Sequence, residues 1–272
     1  MEQSGGTIAV SIQAETLFTI GPLAITNSMI GAILASAILL VAAWYFVRRS
    51  RLVPSAMQSL IEFPIEWMTA IVRESGGSRW RGFAALTTAL FLLILVANWL
   101  SIFPGVGTIG FVEETADGTK EFIPFIRPAS ADLNFTLGLT LVSFVTFVAW
   151  GIRINGIRGY LKELRGEPPW MAPLMMPIHI ISDLSRLISL SMRLFGNVFA
   201  GDILLATMLA LVPLFVPVVF MGLELIFGFI QALVFALLTM TYIILAIAEH
   251  SAEHHVAEGQ PVEGGSAATT EA

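Results

Sequence analysis

Two apolar runs in the final third constrain this chain more than any other feature. Residues 174–210 and 217–248 hold about thirty-seven and about thirty-two residues, punctuated by Pro213 and Pro217. At 1.5 Å per residue, each helix would be roughly 48 to 55 Å long, against a hydrocarbon core of ~30 Å. Tilt alone would have to exceed about 50°, beyond the usual 0–40° range. Either each run breaks into short re-entrant pieces, or the two form a hairpin lying steeply inclined in a membrane. Gly196 and Gly201 could break the first run, but Met221 to Ala248 in the second holds only Gly222 and Gly228. The inclined hairpin is therefore the expected form.

Composition agrees with a membrane setting. The 272 residues are 56% hydrophobic and 12% charged, with a mean hydropathy of +0.82, whereas soluble domains are ~25% charged. No polar block is long enough for a second domain. The absence of cysteine rules out disulfides, thiolate metal sites and a cysteine nucleophile. Nothing points to a cofactor, a metal or nucleic acid.

Residues 1–24 lack the basic start and small-residue cleavage site of a secretory signal and read as a peripheral N-terminal segment. Residues 25–47 form a first span, followed by Arg48, Arg49 and Arg51. Basic residues after a span favour the cytoplasmic side, so the N-terminus is placed outside. In 53–74, Gln58, Glu62, Glu66 and Arg73 recur at helical intervals, giving an amphipathic surface helix that Pro64 should kink or split. Residues 83–103 form a second span with Asn98 inside it, read as a helix–helix hydrogen bond. An outer loop, 104–130, leads to a third span at 131–150, closed by Arg153, Arg158, Lys162 and Arg165. The integral domain thus covers 25–250: three near-perpendicular spans, a surface helix and the long hairpin. It is an all-α polytopic membrane protein with a cytoplasmic C-terminus. The tail, 251–272, is rich in Gly, Ser, Thr and Glu and is expected to be disordered.

Charge inside the hairpin is the next constraint. Arg193 lies in the middle of the first run, and an arginine near the bilayer centre costs ~3 kcal/mol or more. It either snorkels to the interface or faces an aqueous path. At 100° per residue, Ser182, Arg186, Ser189, Asn197 and Ala200 fall within about 40° of it, and His179 lies on the same side. Gly196 and Gly201 flank this polar, small-sided stripe, which should press against a partner helix. Asp202 points the opposite way. Asp183, three residues before Arg186, is placed for a local ion pair. On the second run Gly228, Gln231, Phe235 and Tyr242 share a face with Glu224 to within about 40°. That track suggests a hydrated groove interrupted at Phe235. Glu224 is either a reversible proton carrier or the structural partner of a basic residue on the first run. A guanidinium does not release its proton, so only Glu224, Asp202, His179 and Asp183 can load and unload one.

The segments SMRLFGNVFAGD and FIQALVFALLTMTYI, with PASADLNFTL, GIRGYLKEL and PSAMQSLIE earlier, resemble subunit a of the F-type ATP synthases over most of residues 25–250. The resemblance implies a stator packed against a rotating ring of c subunits, with peripheral-stalk b-type subunits nearby and the catalytic head reached only indirectly. It implies no catalysis by the chain alone. Arg193 matches the family's essential arginine, between two half-channels. Asn197 and Gln231 match polar residues beside it; Gly201, Asp202 and Glu224 match half-channel positions. Glu224 stands where many bacterial members carry His, and Asp202 where they carry Glu. His179 falls near a commonly acidic position, and Leu187 where proline is frequent. The protonatable set favours protons over sodium, and the long tails favour a bacterial inner membrane. An alternative class, a secondary transporter with an intramembrane arginine site, calls for internal repeats that the sequence lacks. A scaffold without conduction would not need polar tracks on both long helices.

Overall fold

The computed structural model describes residues 15–20, 23–49, 54–103, 106, 110–114, 120–166, 169–212 and 215–257. Six helices carry the fold: α1 (Asn27–Arg49), α2 (Ala56–Ser75), α3 (Arg81–Ser101), α4 (Leu133–Arg165), α5 (Ala172–Leu211) and α6 (Val216–Ala257). All but α2 are long and apolar enough to cross a membrane. Two antiparallel hairpins qualify the all-α expectation: β1 (Thr16–Ile20) with β2 (Leu23–Thr26), and β3 (Gly110–Glu114) with β4 (Lys120–Pro124). They occupy the N-terminal segment and the outer loop, where backbone groups outside a helix must find partners by pairing.

The two long runs are continuous helices, not re-entrant pieces. α5 has 40 residues and passes through Pro177; α6 has 42. α6 runs on through Ala257, so seven residues of the stretch expected to be disordered are helical. Residues 258–272 lie outside the described residues, as do 1–14. α2 also passes through its proline without splitting. Ser55 caps it, its Oγ accepting from Gln58 N at 3.4 Å, and Gln58 Nε2 donates to Glu62 Oε1 at 2.9 Å one turn on. In its second half Met68 and Val72 are fully buried, and Trp67 stacks with Phe229 of α6 at 5.9 Å. Met57, Leu60 and Phe63 in the first half stay exposed. α4 continues past the expected end of the third span, with its break at Gly156 (φ 70, ψ 161). That left-handed conformation favours glycine, and it falls at the first residue of the GIRGYLKEL segment.

α3 is central, touching α1, α2 and α6, while α4, α5 and α6 pack on one another. Fully buried Phe91, Ile94, Leu194, Phe235 and Ile243 form the main core. Small polar groups pair across it. Thr136 Oγ1 meets Ser191 Oγ at 3.1 Å, and Ser143 Oγ donates to Thr239 Oγ1 at 2.8 Å. The PASADLNFTL segment is a clamp: Asp132 Oδ1 accepts from Asn134 N at 2.8 Å, opening α4, and Oδ2 accepts from Ser28 Oγ at the start of α1. Gly31 permits this approach, because a Cβ there would fall 2.3 Å from the Arg127 carbonyl oxygen.

Candidate functional site in the helix hairpin

α5 places its polar residues on two sides, as 3.6 residues per turn requires. Ser189, Arg193, Gly196 and Ala200 are exposed, and a Cβ on Gly196 would meet nothing within 4 Å. Among the described residues the Arg193 guanidinium has no hydrogen bond or ion pair. The stripe expected to press against a partner helix is therefore uncovered within this chain. Its small side chains leave the groove open around the arginine.

The flank of α5 beside the arginine stripe borders a cavity of about 200 Å³ between α3, α5 and α6. Asn197 and Gly201 line it from α5, Glu224 and Gly228 from α6, and Asn98 and Ser101 from α3. Gly201 lets α6 come close: a Cβ there would lie 3.4 Å from Glu224 Oε1. Ser101 Oγ reaches the same oxygen at 3.5 Å. Asn98 Nδ2 donates to the Gly228 carbonyl at 3.1 Å, the helix–helix bond expected of it, while its buried Oδ1 has no protein partner. Asp202, half-buried, interacts electrostatically with both Glu224 and the buried Arg127. Glu224 forms no ion pair among the described residues, so its neighbours here are an amide, a hydroxyl and a second carboxylate. The basic partner on α5 is not found.

A second polar group lies roughly 15 Å back along α5 from Arg193, by helical rise. Arg186 Nη1 pairs with Asp183 Oδ1 at 3.3 Å, as the spacing suggested, and its guanidinium sits 5.3 Å from the Tyr242 ring centre. His179 Nδ1 is 3.1 Å from the Leu164 carbonyl, which ties the start of α5 to the end of α4. Between the two groups the interior is filled by bulky apolar side chains, with the paired hydroxyls of Thr136–Ser191 and Ser143–Thr239 among them. Leu194 and Phe235 are fully buried; Gln231 is 7% exposed and its Nε2 has no protein partner. The structure thus divides the expected site residues. Asn197, Gly201, Asp202 and Glu224 gather at one end, His179, Asp183 and Tyr242 at the other, and Gln231 lies between. Arg193 stands at the same level on the outside.

Sequence reasoning missed Ser101 and Arg127. Ser101 follows Asn98 by three residues, nearly one turn, and that spacing was a usable signal. Arg127 looked like one more loop charge, and nothing local distinguished it.

This is a multi-pass membrane protein whose longest helices carry ionisable groups within their apolar span. The pattern of the ATP synthase A chain family matches residues 29–244, and the chain belongs to that family. It is 36% identical to the ATP synthase subunit a of Helicobacter hepaticus over 234 residues, covering 84% of this chain and 95% of that one. It is 34% identical to that of Aliarcobacter butzleri over 223 residues, 82% and 89% of the two chains. With that of Gloeobacter violaceus it shares 31% over 250 residues, 91% and 94%.

Proposed function

We propose that this chain is the proton-translocating stator subunit of an F-type ATP synthase. It offers two half-channels to the carboxylates of a rotating c-ring and is held against that ring by b-type stalk subunits, with the catalytic head coupled indirectly. The observation that carries the reading is Arg193: an exposed cation, without an ion pair among the described residues, halfway along a 40-residue apolar helix. Left against lipid it would cost ~3 kcal/mol or more. A carboxylate on a neighbouring subunit removes that cost and supplies the missing partner.

The two polar groups supply the rest. Protons enter at one end past Asp202 and through the cavity lined by Glu224 and Asn197 and load a ring carboxylate. They leave past His179, Asp183 and Tyr242 at the other end. The apolar plug of Leu194 and Phe235 opposes a direct crossing inside the chain, so a proton must travel on the ring. Arg193 keeps its own proton and favours the ionised state of each carboxylate that reaches it. Gln231, buried with an unpaired amide, orients groups at the level of the gate. Helices of 40 and 42 residues, roughly 60 Å long, lie steeply inclined in a ~30 Å core and run along the ring. The membrane is the bacterial inner membrane; the N-terminus lies outside and the C-terminus in the cytoplasm, because the basic residues at the C-terminal ends of α1 and α4 and at the start of α3 share one side.

The test is Arg193→Ala in the assembled complex. ATP-driven proton pumping is expected to vanish while ring and stalk subunits still co-purify. Normal pumping by that variant would overturn the assignment.

A further inference from the structure

A cluster remote from the cavity lies outside the proton path proposed above. Three arginines from three helices gather around two tryptophans. Arg73, at the end of α2, and Arg81, at the start of α3, lie 5.4 and 5.5 Å from the Trp80 ring centre; Arg153 of α4 lies 5.7 Å from that of Trp150. Trp150 also packs against the start of α3. Phe83 packs edge-on to Trp150 at 6.3 Å, and a Cβ on Gly82 would fall 2.2 Å from Trp150 Cη2. α3 and α4 therefore meet closely here, with Trp150 against Gly82, the residue next to Arg81. All three arginines are exposed, and among the described residues none has an ion pair or side-chain hydrogen bond. The nearby carboxylate of Glu74 is also exposed and unpaired.

Each feature has a ligand chemistry. A guanidinium lying over a ring keeps its in-plane N–H donors, which match the oxygens of a phosphate in pairs. Tryptophans where an apolar span gives way to basic residues mark headgroup level in a membrane protein, and basic pockets between membrane helices take anionic headgroups. A soluble anion would gain nothing from the aromatic floor; a phospholipid places glycerol and upper acyl carbons there.

We infer that Arg73, Arg81 and Arg153, seated on Trp80 and Trp150, form a binding site for the phosphodiester headgroup of an anionic phospholipid. The inference rests only on the chain being a membrane protein and stands or falls independently of the conduction pathway. Lipid retained by the detergent-purified complex tests it, read by native mass spectrometry after delipidation and titration with phosphatidylglycerol or phosphatidylcholine. Phosphatidylglycerol is expected to saturate a discrete site, with phosphatidylcholine at least about tenfold weaker. The triple variant Arg73→Gln, Arg81→Gln, Arg153→Gln should lose that preference. Arg158→Gln, an exposed arginine farther along α4, should keep it. Equal binding of the two lipids by the unmodified complex, which needs no variant to fold, overturns the proposal. So does an equal loss in Arg158→Gln, or displacement of the lipid by millimolar inorganic phosphate.

Discussion

Gly201 shows at the residue scale how one absent side chain shapes the proposed proton entrance. Its missing Cβ leaves Glu224 Oε1 in ordinary contact distance, 3.4 Å from where that atom would be. Alanine should fit with small adjustment, whereas the two methyl groups of valine would have to enter the space that Glu224, Asn98 and Ser101 share. Gly201→Val is therefore expected to lower proton conduction by about tenfold or more while leaving the complex assembled; ATP-driven fluorescence quenching in vesicles measures it. A rate within twofold of the unmodified complex would mean that the cavity is not on the path. The role of Gly201 as a close-packing glycine was legible in the sequence. Its partner was not: Glu224 lies on another helix, and no spacing rule connects the two.

At the scale of elements, close backbone contacts outweigh individual hydrogen bonds. The Ser143–Thr239 bond joins α4 to α6, but such bonds in membrane proteins average ~0.6 kcal/mol. Gly31 holds α1 against the turn before α4 with no room at all: its Cβ would lie 2.3 Å from a backbone oxygen, which cannot rotate away. Overpacking a tight contact costs about 1–3 kcal/mol or more. Gly31→Val should thus lower the thermal unfolding midpoint clearly and Ser143→Ala barely, as measured by scanning the purified complex in one detergent. The reverse order would show that α1 is not clamped there. This clamp gives the end of the outer loop a structural role. PASADLNFTL is a structural tie from α1 to α4, and the loop before it carries Arg127 to Asp202, more than seventy residues away in sequence.

At the scale of the whole molecule, the main finding is an open face. Ser189, Arg193, Gly196 and Ala200 form an exposed stripe on a long helix, as a surface awaiting another subunit should. The chain has no cysteine, so a single introduced thiol is an unambiguous reporter. Ala200→Cys should react quickly with a small maleimide when the chain is separated from the ring and be protected at least about fivefold in the intact complex. Equal labelling in both states would place the ring elsewhere.

Sequence alone determined the membrane class, the five long apolar helices, the side of α5 that carries Arg193, and the family. Those properties are local: rise per residue fixes length, 100° per residue fixes which side chains share a face, and a motif is read in place. Tertiary structure alone decided what each face meets. The Arg193 stripe meets no described helix of this chain, and the Glu224 track lies against α3 instead of beneath the arginine. Asn98, Ser101 and Arg127 join Glu224 and Asp202 around one site. The reason is that azimuth within a helix is set by covalent geometry, while the pairing of helices is set by shape, by the fit of Gly201, Gly228 and Gly31 against their neighbours.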